Sequence, residues 1–236
     1  MVVNEKKHLA QIDAAVVVST AQMDFFATLL GPHKVYYVPH GIDVDYFKPK
    51  DINNPTDDGA LRCLFVGTHM RDFTTLAETW RILNKAAKAY RLDVVTSSKY
   101  QHCFKGIKDT HLHFGISDQK LLDLYQHADA FVLPLSDCTA NNSLLEAMSC
   151  GLPIICTDLP GARDYVNDTC TLFVPKADAK AFAEAIASLH ADKKCRQRMA
   201  ISSRALSLDF SWRKVSSKIQ EVYQHVVANQ LGRSGA

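Results

Sequence analysis

Short apolar runs alternate with longer amphipathic stretches along this chain. From Leu61, LRCLFVG reads as a strand, and Asp72–Tyr90 reads as a helix with Leu76, Trp80 and Leu83 at i, i+4 and i+7. Leu92–Thr96 and His111–Phe114 read as further strands, and Asp118–His127 as a helix. Ala130–Leu133 and Ile154–Cys156 follow as buried strands, with Thr171–Val174 an edge strand. Ahead of this series, Asp13–Ser19 and Val35–Val38 are apolar runs of strand length. They flank a helix that Thr20 caps and Gly31-Pro32 closes. The last third is helical: Asp178 caps one helix, a second covers about 194–206, and a third 212–227. Strands alternating with helices predict an α/β fold with a doubly wound parallel sheet and right-handed crossovers. The polar, turn-rich DINNPTDDG at 51–59 marks a boundary, with 1–58 on one side and a complete domain, 59–236, on the other.

The pattern is most informative between Leu135 and Pro160. A polar loop, Ser136–Asn142, follows a strand that ends at Pro134, and Ser143-Leu144-Leu145-Glu146 fits a capping box with Ser143 as N-cap. Gly151 supplies a left-handed stop, and Pro153 prevents continuation. A short helix whose free N–H groups face a loop at a strand's carboxyl end suits an anion.

These residues carry a resemblance. NNSLLEAMSCGLPIICTDLPG (141–161) resembles the nucleotide-sugar signature of the retaining GT-B glycosyltransferases of family 4, in which Glu-x7-Glu leads into "EAMACGLPVV". Glu146 matches the second Glu, which the resemblance makes the ribose ligand. The first falls on Cys138, beside Asp137, where a sugar-contacting carboxylate is the rule. The segment KVYYVPHGIDVDYFKP is similar to the end of a GT-B N-terminal domain and its crossing linker, with His40 where Asn is usual. The resemblance therefore covers the donor-binding half, and 1–58 becomes a remnant of the acceptor domain.

It implies roles for particular residues. Gly67, Thr68 and His69 open the loop that holds the diphosphate, with Arg71 as its cation, able to grip phosphate bidentately. Asn141, Asn142, Ser143 and Leu144 bring backbone N–H groups to the same anion, and Gly115-Ile116 contact the base. Arg71, Asp137 and Cys138 become the catalytic candidates. The donor is a UDP-sugar or GDP-sugar, and no cofactor is expected. The acceptor is a glycan or lipid-linked chain in cell-envelope polysaccharide synthesis, met by another lobe or a separate acceptor-domain subunit. Plainer readings stand beside these. Glu146 can serve only the capping box, Arg71 can pair with a surface acid, and Gly115 can be an ordinary turn. A non-catalytic nucleotide-sugar-binding protein, or an epimerase-like α/β protein, shares much of the pattern.

Composition narrows the classes. Of 236 residues 47% are hydrophobic, ample for a core, and the formal net charge of +2 gives no field for nucleic acid. No apolar run reaches the ~18–20 residues of a spanning helix, so any membrane attachment is peripheral. Seven cysteines without a CxxC pair suit a reduced, cytoplasmic setting. Asp43-Val44-Asp45 matches a DxD metal motif, and His111-x-His113 puts two imidazoles on one strand face. The first lies in the linker pattern GIDVDYF, and the GT-B resemblance implies no need for such a motif. The histidine pair has no third ligand in view, so no metal is expected.

Overall fold

The structure is a computed structural model that describes residues 8, 9, 11–50, 59–86 and 89–234, and the backbone alone for 231–234. Six parallel strands form the main sheet: β3 (Leu61–Val66), β4 (Tyr90–Val95), β5 (Thr110–His113), β6 (Ala130–Leu133), β7 (Ile154–Thr157) and β8 (Thr171–Val174). They lie in the order β5-β4-β3-β6-β7-β8, with β8 at an edge as its composition suggests. Every residue of β6 and β7 is buried, as the centre of a parallel sheet covered on both faces requires. β4 instead alternates buried and half-buried positions towards the β5 edge.

The chain reverses direction across the sheet between β3 and β6. A doubly wound sheet opens a crevice at the carboxyl ends of those two strands. The helices that complete the domain are α2 (Phe73–Leu83), α3 (Asp118–His127), α4 (Asn142–Ser149), α5 (Pro160–Arg163), α6 (Ala179–Ala191), α7 (Lys193–Ser207) and α8 (Trp212–Ser234). α2 buries Leu76, Trp80 and Leu83 as the spacing predicts, and Asp72 caps it by accepting from Thr75 N at 2.9 Å. It stops at Leu83 rather than reaching Tyr90, because Tyr90 opens β4 in register with Leu61. Asp178 caps α6 as expected, accepting from Ala181 N.

A second, two-stranded parallel sheet pairs β1 (Ala15–Val17) with β2 (Val35–Tyr37), joined through α1 (Met23–Leu30). Ser19, not Thr20, caps the short 3₁₀ turn before α1, through Ala21 N. Thr20 is drawn instead to Asp164: its N–H donates at 2.8 Å and its hydroxyl at 2.6 Å, while the Ser19 hydroxyl donates at 2.6 Å. Tyr165 adds a second tie, donating to Val18 O at 2.6 Å and accepting from His40 N at 2.9 Å. No residue of α1 is buried although its sequence is mostly apolar, and Phe25 is 64% exposed.

The linker after β2 is held by α7 and α8. Ile42 N donates to Phe210 O, and Gly41 leaves room for the Trp212 ring, which a Cβ there would meet at 2.4 Å. Arg204 belongs to a basic stretch that reads as a solvated face. Its guanidinium nevertheless turns inward to the carbonyls of Val44, Phe47 and Ser149. The boundary segment 51–58 lies outside the described residues.

Asp164 carries most of the polar attachment of the β1–β2 unit. Asp164→Ala is expected to speed amide exchange in β1 and β2 roughly tenfold, from the loss of charge-assisted bonds, while β3, β6 and β7 keep their protection. Hydrogen-exchange mass spectrometry reads this directly.

Candidate functional site

The crevice at the reversal point holds a cleft of about 450 Å³, within the range of small-ligand sites. Its walls come from the loop after β3 (Val66, Gly67, His69, Met70, Arg71), the loop after β6 with the start of α4 (residues 137–143 and Glu146), and Leu121 of α3. The two loops are tied to each other. Asp72 N donates to Pro134 O, Ser136 N donates to Met70 O, and Arg71 forms an antiparallel bridge with Leu135. Met70 takes a left-handed conformation, φ 55°, to make this turn.

Arg71 lies at the centre. Its Nε donates to Val66 O at 3.0 Å and Nη1 to His69 O at 2.9 Å. Nη2 donates to Asn141 Oδ1 at 3.1 Å and Ser143 Oγ at 2.9 Å. A guanidinium has five N–H donors. Four are engaged within the chain, which leaves one on Nη1 and does not allow the bidentate phosphate grip expected from the sequence. No carboxylate pairs with Arg71 among the described residues, so the surface-acid alternative fails as well. Burial pushes its pKa down, opposed by Tyr125, Cys138 and Glu146, and it remains charged. Gly67, at φ 117°, is needed because a Cβ there would sit 2.5 Å from Arg71 Nη2.

The start of α4 departs from the expected capping box. Asn141 is the N-cap, its Oδ1 accepting from Leu144 N at 3.2 Å. The same oxygen accepts from Arg71 and from the Ser143 hydroxyl at 2.8 Å. Leu144 N–H is therefore spoken for, whereas the N–H groups of Asn142 and Ser143 have no acceptor among the described residues. Two donors at a helix N-terminus, with a half-buried cation beside them, make a positive locus on the cleft wall.

Glu146 also leaves the capping box. Its Oε2 accepts from the Tyr125 hydroxyl at 2.8 Å, and no partner for Oε1 is found among the described residues. Burial raises the Glu146 pKa. The Tyr125 bond and, more weakly, Arg71 oppose that rise, while Asp118 adds to it. Asp137 lines the cleft from an exposed position, its Oδ1 accepting from Cys138 N at 2.8 Å. The Cys138 thiol is pushed up to about 11, chiefly by burial, and donates to Thr139 O, so it is neutral at neutral pH. Behind it, the carbonyl of Cys138 would lie 2.0 Å from any Cβ on Gly161, so α5 packs directly against this loop.

The structure thus brings Gly67, His69, Arg71, Asp137, Cys138, Asn141, Asn142, Ser143 and Glu146 to one cleft. Thr68, Gly115, Ile116 and Leu144 are not on its walls; Thr68 and Gly115 are exposed and Leu144 is buried. Leu121 and Tyr125 escape notice in the sequence because an apolar pair at i, i+4 on a helix reads simply as core. Of the motifs set aside, Asp43 caps a turn through Asp45 N and Tyr46 N, and His113 bonds Asp93 at 2.6 Å. Among the described residues no three metal-ligating side chains come together, and no helix is long and apolar enough to cross a membrane.

Comparison with known proteins gives the family and the fold. The family model described as "Glycosyl transferases group 1" matches residues 60–192, more than half of the chain. The chain belongs to the group 1 glycosyl transferases. D-inositol 3-phosphate glycosyltransferase of Xylanimonas cellulosilytica is 25% identical over 98% of this chain and 61% of its own length. The protein of that name from Saccharomonospora viridis is 24% identical over 96% and 59%. The chain thus spans about three fifths of the length of these relatives. In fold it is similar to sucrose-phosphate synthase of Thermosynechococcus elongatus, with TM-score 0.77, 21% identity, and coverage of 95% of this chain and 61% of that one. Anabaena HepE, whose structure is a complex with UDP-glucose, matches at TM-score 0.74 and 13% identity over 92% and 64%. The doubly wound parallel sheet with flanking helices and a helical C-terminus is a Rossmann-like α/β fold of the GT-B type.

The site makes two demands on stability that can be measured. Arg71→Lys cannot serve four diverging acceptors with one ammonium, and is expected to lower the unfolding free energy by about 2 kcal/mol in urea titrations. Glu146 is different in sign. Its folded-state pKa lies above the unfolded value of ~4.3, so the cost of ionisation is absent below ~4.3 and builds up as pH rises through the folded pKa. Glu146→Gln keeps an acceptor for Tyr125 and loses the charge. Its Tm is expected to exceed the wild-type value at pH 7, with the difference shrinking as pH falls towards ~4.3.

Proposed function

We propose that this chain is the donor-binding half of a retaining, metal-independent glycosyltransferase. It would move a hexose from a nucleoside diphosphate sugar to a glycan or lipid-linked acceptor. The observation that carries this reading is the pairing, in one cleft at the reversal point, of a positive locus with a carboxylate oxygen to spare. Asn142 and Ser143 N–H groups face the diphosphate, Arg71 adds charge and one N–H, and Glu146 Oε1 takes the ribose hydroxyls. Such a site assists chemistry by stabilising the departing diphosphate with groups already in place. His69 and Asp137 stand at the cleft wall where the transferred sugar would lie, and Cys138 contributes shape rather than charge. The base would lie towards Leu121 and the Gly115-Ile116 turn.

The acceptor contacts belong, on this reading, to a second lobe, with 1–58 as the part of it that this chain carries. The uncovered apolar helix α1 and the two-stranded parallel sheet favour this, since parallel strands are normally covered on both faces. Whether that lobe is continuous with the chain or a separate subunit, the donor site described above is the same.

Titration calorimetry with UDP, GDP and ADP, then their sugars, tests the reading. One base is expected to bind saturably, and Glu146→Ala is expected to weaken it at least about tenfold, the loss of a charged acceptor. A folded chain that binds none of the three would overturn it.

A further inference from the structure

Tyr125 is fully buried on α3, with no contact to solvent and no place on the cleft wall. Its ring is fixed on two sides. Phe47 of the linker meets it edge-on at 6.0 Å, and Phe131 of β6 packs at 5.9 Å. Phe47 is itself anchored, since its carbonyl accepts from Ser149 Oγ and Arg204. The hydroxyl is therefore held in one place, with two acceptors in reach. It lies 2.8 Å from Glu146 Oε2 and 3.3 Å from Ser143 O, the second residue of α4.

A buried tyrosine hydroxyl needs an acceptor, and the Ser143 carbonyl beside it could have served. The shorter bond goes to a half-buried carboxylate that no cation contacts among the described residues. That costs the fold something, because burial already disfavours the Glu146 charge. The bond fixes the carboxylate's rotation while consuming one oxygen, so that the other is held in a set direction. We propose that Tyr125 is the positioning residue of the donor site: its hydroxyl aims Glu146 so that Oε1 receives the ribose cis-diol of a nucleoside diphosphate. The inference rests on the reading of Glu146 as the ribose ligand and adds the device that orients it. Through Phe47 it also places the linker in contact with the donor site.

The test compares ligands with and without the cis-diol, using the nucleotide that the wild-type chain binds in the titration above. If that nucleotide is UDP, wild type and Tyr125→Phe are titrated with UDP, 2′,3′-dideoxy-UDP and pyrophosphate. Tyr125→Phe is expected to weaken UDP roughly tenfold and to leave dideoxy-UDP and pyrophosphate unchanged, because only the cis-diol uses the aimed oxygen. A double variant with Glu146→Gln is expected to be no weaker than Glu146→Gln alone. The pH profile supplies a readout that loosened packing would not move. The groups facing the Glu146 carboxyl are the Tyr125 hydroxyl, Arg71, Asp118 and Cys150. Removing the hydroxyl removes a group that favours the ionised form, so the acid limb of UDP binding is expected to move to higher pH.

Equal losses for all three ligands would make Tyr125 a packing residue and overturn the inference. So would unchanged UDP affinity in Tyr125→Phe alongside weakened binding in Glu146→Gln, which would leave the donor reading standing. If wild type binds no nucleotide, both fall together. Should Tyr125→Phe fail to fold, Phe47→Leu loosens the same ring without removing the hydroxyl. A smaller, equally cis-diol-selective loss is then expected, and a loss shared by pyrophosphate counts against the proposal.

Discussion

The cleft at the reversal point depends on a guanidinium enclosed between two loops. Burying a charge is costly unless its donors are met, and Arg71 meets four acceptors drawn from the end of β3, the following loop and the start of α4. None is a carboxylate, so the positive charge is held without being neutralised. Its field is left for whatever anion enters the cleft. The same bonds fix Asn141 as the α4 cap and Ser143 beside it, which sets the direction of the free N–H groups of Asn142 and Ser143. The site is therefore assembled before any ligand arrives, and a ligand need not supply the energy to order it.

That enclosure also marks where sequence reasoning stops. The strands of the main sheet are legible because a parallel sheet covered on both faces needs uninterrupted apolar runs, and AFVL and IICT have no other place to go. Asp72 and Asp178 are legible as caps because nothing distant competes for them. The capping box at Ser143 is a local pattern that the chain does contain. Two residues from elsewhere outbid its members: Arg71 draws Ser143 and Asn141 together from 70 positions away, and Tyr125 takes the Glu146 carboxylate from α3. Thr20 is lost to Asp164 in the same way. Local capping contributes about 1 kcal/mol, which a charge-assisted bond to a fixed partner can exceed.

Arg204 and Tyr125 illustrate opposite errors of the same kind. Basic residues among apolar helical positions read as a solvated face, and a tyrosine among leucines reads as core. In the structure Arg204 is turned to the linker carbonyls, and Tyr125 is core in its ring and part of the site through its hydroxyl. Amphipathic side chains divide between two environments atom by atom, and hydrophobic periodicity records only the larger part.

Glu146 brings these threads to one point. A stability-driven choice at this position would be a glutamine, which accepts the Tyr125 bond without a buried charge. The carboxylate instead sits where burial disfavours it, with one oxygen tied and Arg71 too well occupied to reach it. Packing does not explain a destabilised charge held in a fixed direction. The proposed ligand recognition would, because cis-diol hydroxyls can satisfy the free oxygen when they arrive. On the donor-site reading proposed above, the Arg71 enclosure and the Tyr125 bond act on opposite ends of one ligand. The first would keep a positive charge available for the diphosphate, and the second would keep the Glu146 carboxylate aimed at the ribose. Both are held by side chains that the ligand itself need not move.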